Sequence, residues 1–340
     1  RTNQGRVLTY HEVTGLILKD QAVVGANVRD VRSGDVHPIE VSTVVNAAGA
    51  WAGQIAGMAG CPIIVRPSKG TMVAMAYRFV NTVLIRCHNP GDGDILVPVG
   101  TVAVIGTTSV TVDDPNDTSI QSWEVQKMLD EGEKLVPAMG QVRALRAWAG
   151  VRPLYEEGNA VDGRDAKRTF AVLDHATRDG VSGLVTVVGG KFTTYRLMAE
   201  KAADVVCSHL NVDRPCVTQS YVLDSSPVRT EGTNQHWLGH RLHEIDAGAA
   251  RQSVVCECEL VTRTQLESAV AAHPDAGSPW VLDDLRRDLR LGMGPCQGGF
   301  CGYRAAALLV ESGDIPAAQA TEAFSDFVGR RWKGQRPLLW

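Results

Sequence analysis

The chain has 340 residues, 44% hydrophobic and 21% charged, which allows two soluble domains and a well-buried core. Its net charge of -4 carries no basic footprint for nucleic acid, and no apolar run approaches the roughly 18 residues of a membrane span. Eight cysteines without a secretory h-region are too few for a disulfide scaffold. The start, RTNQGRVLTYHEV, lacks an initiator Met and enters almost at once on strand-like residues, so the chain is expected to be a piece of a longer one.

Residues 6 to 48 read as a β-meander: GRVLTYHEVTGLI and AVVGANVRDV alternate apolar with polar, RSGD supplies a turn, and IEVSTVVNAAG follows as a buried strand. The chain then passes through Ala47-Ala48-Gly49 into AWAGQIAGMAG, which reads as helix. A strand, a glycine and a helix in that order let a backbone approach a dinucleotide pyrophosphate, although most such junctions are packing turns. Residues 62 to 112, rich in Val, Ile and Thr with turns at NPGDGD and PVG, predict a second antiparallel sheet. Residues 118 to 136 predict a helix with Val125, Met128 and Leu129 on one face. LRAWAGVRPLYEEGN reads as an extended segment containing Arg152-Pro153.

A further strand, GLVTVV, ends in GGKFTTYR and feeds a helix with Met198, Ala202, Val205 and Val206 on one face. Gly190-Lys191 is not a P-loop, because Phe192 stands where Walker A needs Ser or Thr. The plain reading is a strand-to-helix turn with a solvated Lys and Arg. From 211 to 252 the composition turns polar and loses periodicity, which marks a boundary. His236, His240 and His243 have metal-like spacing there, but a boundary segment is a poor place for a metal. Beyond it, Thr262 and Gln265 form a capping-box pattern, Ser278-Pro279 is expected to open a second helix, and a third begins around Cys301.

Cys61, Cys87, Cys207 and Cys216 are scattered and read as buried small hydrophobes or incidental thiols. Cys256 and Cys258 form C-x-C, and Cys296 and Cys301 form C-x4-C, with 37 residues between the pairs. Four thiolates brought together suit zinc or an iron–sulfur cluster. The C-x-C spacing argues mildly against zinc. Gly294, Gly298 and Gly299 would let backbone N–H groups approach sulfur, and the helix N-terminus beyond Cys301 favours negative charge, both of which favour a cluster.

C-E-C at 256–258 with G-M-G-x-C-Q-G-x-x-C at 292–301 resembles the bacterioferritin-associated-ferredoxin type of 2Fe–2S domain. VVNAAGAWA, GVRPL and VGGKFTTYRLMAE, followed by the cysteine segment and RWKGQRPLLW, resemble the FAD-dependent glycerol-3-phosphate dehydrogenases over essentially the whole chain. The fused cysteine segment narrows the resemblance to the large subunit of the anaerobic type. The resemblance implies an α/β (α+β) FAD-dependent oxidoreductase fold over 1–210, incomplete at its N-terminus because the first βαβ unit with the G-x-G-x-x-G fingerprint is missing. A substrate-side sheet would occupy about 62–155. A linker over 211–252, a small all-helical 2Fe–2S domain over 253–312 and an extension over 313–340 would follow.

What the resemblance implies about residues is specific. Ala48, Gly49 and Trp51 would pass close to the flavin nucleotide, and Gly189 and Gly190 would bring backbone N–H groups to it. Lys191 and Thr193 would face flavin or substrate. Arg152 would hold the substrate phosphate or its hydroxyls, with Arg168 a second basic pocket residue. Single-chain relatives carry His after their K-G-S segment, where this chain has Lys69-Gly70-Thr71-Met72. That leaves the general base open, with His175 a candidate by chemistry alone. Cys256, Cys258, Cys296 and Cys301 would hold the cluster.

The implied reaction is oxidation of sn-glycerol 3-phosphate to dihydroxyacetone phosphate. Electrons would leave through the cluster to two partner subunits and membrane quinone, on the cytoplasmic face of the cell membrane, where the chain would attach peripherally. The alternatives are a fused flavin and cluster amine or amino-acid oxidase, a non-catalytic cluster-bearing scaffold, and a zinc-stapled regulatory domain.

Overall fold

The computed structural model describes residues 5–87, 91–155, 169–222, 237–248, 253–272 and 281–338. The chain divides into two units, each discontinuous in sequence: Arg1–Lys69, Ser109–Thr118 and Val151–Pro227 form the first, and Gly70–Thr108, Ser119–Gly150 and Val228–Trp340 the second.

The chain opens with an antiparallel meander of β1 (His11–Lys19), β2 (Ala22–Asp30) and β3 (Val36–Glu40). Asp20 and Gln21 both take positive φ, which is the two-residue turn whose twist matches the strands it joins. IEVSTVVN does not form one buried strand. Its first part ends β3, exposed along its length, and its second part forms β4 (Val44–Asn46) in a different sheet. A 3-10 turn over Gly49–Trp51 then leads into the short helix α1 (Ala52–Gly57).

The predicted second sheet is present. It comprises β5 (Arg66–Met75), β6 (Leu84–Ile85), β7 (Ile95–Val99), β8 (Val102–Gly106) and β9 (Val110–Thr111). Helix α2 (Ser122–Leu135) follows, and then β10 (Ala144–Leu154) completes the order β10-β5-β8-β7-β6, with β9 also on β5. Val125 and Met128 of α2 bury against Val73, Met75, Leu96 and Ile105, the face expected from their spacing. Glu124 closes a capping box on the Gln121 N–H at 3.0 Å, and although fully buried it also accepts from Thr71 Oγ1 at 2.8 Å and Thr108 Oγ1 at 3.1 Å.

Strand β11 (Phe170–Asp174), helix α3 (His175–Arg178), β12 (Leu184–Gly189) and α4 (Tyr195–His209) complete the first unit. β12 lies between antiparallel β11 and parallel β4, and its run LVTVV is buried throughout, as a central strand requires. The core here gathers Val23, Ala52, Ala56, Cys61, Leu173, Leu184 and Val188.

The boundary segment holds one described helix, α5 (Trp237–Ala247); His243 on it is exposed, and His236 lies outside the described residues. The cysteine segment is not all-helical. β13 (Val254–Cys256) and β14 (Val261–Thr262) form a small antiparallel hairpin ahead of α6 (Arg263–Ala271), α7 (Leu282–Leu289) and α8 (Cys301–Glu311). The β-branched pairs Val254-Val255 and Val261-Thr262, with Leu260 at φ +52° between them, favour a hairpin over another helix.

Thr262 and Gln265 make the capping box read from the sequence, at 3.2 Å and 3.0 Å. α7 begins at Leu282, while Ser278-Pro279 lies outside the described residues. Helix α9 (Ala320–Lys333) sends Phe327 and Val328 into the same core as Cys256, Leu285, Cys301 and Leu309, so the C-terminal segment is part of this core.

Candidate functional site

β4 and β12 run side by side and parallel, with Val44 opposite Leu184 and Asn46 opposite Thr186. Their C-terminal ends therefore point the same way, the place where open α/β sheets bind ligands. After β4 the chain turns through Ala48 and Gly49, whose φ is +59°. A side chain at Gly49 would meet nothing within 4 Å, so its backbone stands open. After β12 come Gly189 and Gly190, both at φ +77°. A Cβ on Gly189 would sit 2.6 Å from the Thr169 carbonyl, and one on Gly190 would sit 2.6 Å from Met198 Sδ, so only glycine fits either place.

The turn into α4 leaves Phe192 89% exposed beside the exposed Tyr195, ring centroids 5.7 Å apart. Trp51 is also exposed and donates from Nε1 to Asn116 Oδ1 at 3.0 Å. Large aromatic surface and open backbone thus frame the strand ends in this unit.

Asn46 organises the first turn. Its Nδ2 donates to the Ala52 carbonyl at 2.9 Å and to Thr186 Oγ1 at 3.2 Å, while its Oδ1 accepts from the Ala48 N–H at 3.2 Å. Thr186 Oγ1 in turn lies 2.8 Å from His175 Nε2, and His175 Nδ1 lies 2.5 Å from Asp179 Oδ2. The carboxylate can only accept, so His175 donates to it from Nδ1, and in the neutral ring Nε2 then accepts from the Thr186 hydroxyl.

His175 is fully buried with both ring nitrogens engaged. That placement suits the structural role which the sequence left open for it beside that of a general base. Cys61, His175 and Asp179 are also the group, among the described residues, whose ligand atoms all lie within 4.8 Å of one another. The hydrogen bonds just given, with Arg178 Nη1 3.1 Å from the Asp179 carboxylate, satisfy that group without a metal. Burial pushes the Cys61 thiol up, further disfavouring the thiolate a metal needs.

The other expected pocket residues are placed as follows. Arg152, on β10, is half-buried with Nη1 3.5 Å from Ser68 Oγ. Lys191 and Thr193 are exposed at the turn after β12. Arg168 lies outside the described residues. Asn46 and Thr186 are the residues a reading of the sequence missed. The signal was the single buried-strand polar residue in each of VVN and LVTVV, at the same register position of two strands that end in glycine turns.

In the second unit the four cysteines converge. Their thiols act on one another: Cys258 on Cys296, Cys296 on Cys301, and Cys301 on Cys256. Bonds from the Cys258 thiol and from the Gly298 and Phe300 N–H groups, with the one Cys301 proton shared between it and Cys256, hold Cys296 well below the ordinary thiol range. Cys256 accepts from Cys301 and, against the cost of burial, from the Gly292 and Glu259 N–H groups, which bring it down to about 7. Cys258 is pushed up by its bond to Cys296 and by burial, and Cys301 by its bonds to Cys256 and Cys296 and by burial. Backbone N–H groups directed at sulfur are what thiolate ligands require.

Gly298 brings its N–H to sulfur as expected, and the glycines also make room for side chains. A Cβ on Gly294 would sit 2.3 Å from Cys258 Cβ, whereas Gly292, Gly298 and Gly302 leave room for the Phe327 ring, 2.7 to 2.9 Å from where a Cβ would be. Behind Cys258, the buried Glu259 accepts from Arg290 Nε at 2.9 Å and Thr101 Oγ1 at 3.2 Å.

Comparison with known proteins gives the family. The family model described as FAD dependent oxidoreductase matches residues 1–196. The chain belongs to this family. Among curated relatives, an anaerobic glycerol-3-phosphate dehydrogenase subunit from Escherichia coli (strain K12) is 41% identical, covering 98% of this chain and 64% of the relative. The corresponding dehydrogenase subunit from Haloferax volcanii is 39% identical, covering 98% of this chain and 60% of the relative. The chain thus spans less than two thirds of these relatives.

The crystal structure of glycerol-3-phosphate dehydrogenase from Bacillus halodurans, solved with FAD, aligns over 98% of this chain and 58% of that one. Its TM-score is 0.53 at 21% identity, a likeness of fold. FAD is the family's cofactor, and the residues present fit one: an open glycine backbone, two positive-φ glycines and exposed rings at the ends of adjacent parallel strands. Among the described residues no helix is long and apolar enough to cross a membrane.

Proposed function

We propose that the chain is the greater part of a flavoprotein subunit that oxidises sn-glycerol 3-phosphate to dihydroxyacetone phosphate. The observation that carries this reading is the pair of glycine turns on parallel β4 and β12. The similarity to the anaerobic dehydrogenase subunits supports the choice of substrate. FAD would accept a hydride from the carbinol carbon, and a 2Fe–2S cluster would carry electrons onward one at a time.

The chain's own residues have separable parts in this. The backbone at Ala48, Gly49, Gly189 and Gly190 would hold the flavin, with Trp51 and Thr193 at its margin. Arg152 and Lys191, joined by Arg168, would bind the phosphate dianion, each charge-assisted bond contributing about 1.5–3 kcal/mol. The proton of the substrate hydroxyl goes to a base that is not His175, whose nitrogens are both engaged in the core.

Cys256, Cys258, Cys296 and Cys301 would hold the cluster. The C-x-C spacing and the backbone N–H groups turned towards sulfur favour an iron–sulfur cluster over zinc there. The domain boundaries at about 210 and 252 remain our reading of the sequence. So do two further subunits, one of them passing electrons to membrane quinone, and peripheral attachment through a partner at the cytoplasmic face.

Protein purified without oxygen and analysed for iron, sulfide and flavin tests the reading. Two irons and two sulfides per chain, flavin beside them, and bleaching of that flavin by glycerol 3-phosphate are expected. Zinc without sulfide would overturn the cluster. Bound flavin that glycerol 3-phosphate leaves oxidised would overturn the substrate.

A further inference from the structure

Helix α9 belongs to the segment RWKGQRPLLW and the residues before it, which no step above uses. Phe327 and Arg331 lie one turn apart on it, both buried. The Phe327 ring occupies the space left by Gly292, Gly298 and Gly302. Arg331, 7% exposed, donates from Nε to the Gly292 carbonyl at 3.1 Å and from Nη2 to Gln297 Oε1 at 2.9 Å. Gln297, 2% exposed and at φ +51°, returns a bond from Nε2 to the Gly294 carbonyl at 2.9 Å. The segment that carries Cys296 and lends the Gly292 N–H to Cys256 is therefore tied at three points through one arginine and one glutamine.

Charge is the second feature of this pair. Both partners of Arg331 are neutral oxygens, so its charge is not cancelled where it is bound. Burial, and after it repulsion from Arg146 and Arg286, lower Arg331 to about 9, while Asp283 works in the opposite direction. A buried cation with cationic neighbours is costly unless an anion lies close by. Two anions act on it here: Asp283, already shared between Arg286 and Arg330, and the thiol set through Cys301.

We propose that Arg331 and Gln297 are a positioning pair for the cluster. They hold residues 292–297 in ligand-ready shape, and the charge of Arg331, bound there only to neutral oxygens, raises the potential at which the cluster accepts an electron. This rests on the cluster reading above. Reduction adds one negative charge, so a cation fixed nearby favours the reduced form.

The test is an anaerobic redox titration of the intact holoprotein, with iron and sulfide content determined on each sample. Gln297→Glu keeps the size of the side chain and places a carboxylate on Arg331. Arg331→Met removes the charge, and Arg331→Lys keeps it while losing the fork. At full iron content, Gln297→Glu and Arg331→Met are expected to lower the reduced-to-oxidised ratio at a given poise about tenfold, or about 59 mV for one electron. Arg331→Lys is expected to stay near wild type.

Unchanged potentials in Gln297→Glu and Arg331→Met would overturn the proposal, as would an Arg331→Lys shift equal to that of Arg331→Met. If Arg331→Met fails to fold, Gln297→Glu decides alone. Wild-type protein lacking iron and sulfide would instead sink the cluster reading, and the pair's role with it.

Discussion

The two candidate sites use glycine in opposite ways. At the end of β4, Gly49 faces open space, and its value is the bare backbone it offers to a ligand. In the cysteine segment, Gly292, Gly298 and Gly302 face the ring of Phe327, and their value is the room they give an aromatic of the same core. The first site is lined by main chain and exposed rings, the second by buried side chains that order a loop. A large, flat ligand needs an open frame, whereas a small cluster held by four sulfurs needs its ligands placed by the protein interior.

The largest expected effect follows from the filled site. Gly298→Val would place carbon atoms inside the Phe327 ring at φ +91°, costing about 3 kcal/mol or more through overpacking and backbone strain together. Melting temperature and iron content should both fall sharply. If Gly298→Val retains its iron, the glycines are not there for Phe327.

Cys296→Ser should remove the cluster absorption while sparing flavin, because Cys296 interacts with two of the other thiols and two backbone N–H groups. Retention of both chromophores would remove it from the ligand set. Arg152→Ala should raise KM for glycerol 3-phosphate about tenfold to a hundredfold, with flavin content unchanged. An unaltered KM would exclude Arg152 from phosphate binding.

An acid titration separates electrostatics from packing in the second region. Burial raises the Asp283 carboxyl, but ion pairs with Arg286 at 2.7 Å and Arg330 at 3.0 Å more than reverse this, leaving it below the usual carboxylate value. Its stabilisation is therefore present above the unfolded value of about 3.9 and lost as pH falls through the lower folded value. Circular dichroism should show the wild type losing stability below about pH 4, and Asp283→Asn should flatten that limb. An identical acid limb in the two proteins would contradict the assignment.

The smallest effect is expected at the open glycine. Gly49→Ala meets no atom and pays only for its φ, about 1–2 kcal/mol, so the fold should survive with weakened flavin binding. A loss of stability as large as that of Gly298→Val would erase the contrast between the two sites.

Much of this was legible before any coordinates. The meander over 11–40, the antiparallel sheet of β5 to β9, helix α2 with its Val125 and Met128 face, and the start of α8 at Cys301 all follow from periodicity and turn residues. So does the Thr262 capping box. Each is a local pattern, where neighbours in sequence are neighbours in space. The split of IEVSTVVN into two strands was not legible, because an exposed edge strand and a parallel partner of β12 present the same β-branched residues. The hairpin at Cys256 was hidden likewise, its strands being three and two residues long.

By itself the sequence determined most of the elements, the two glycine turns and the four thiols, since each depends on residue type and short spacing. Only the tertiary structure decided what those residues face. It set β4 beside β12, so that Asn46 and Thr186 bond across the 140 residues that separate them. It buried His175 with both of its nitrogens engaged, and it laid α9 over the cysteine segment, with Phe327 filling the glycine gap and Arg331 tying the loop. Burial and partnership arise from contacts between residues far apart in the chain, and no local spacing encodes them.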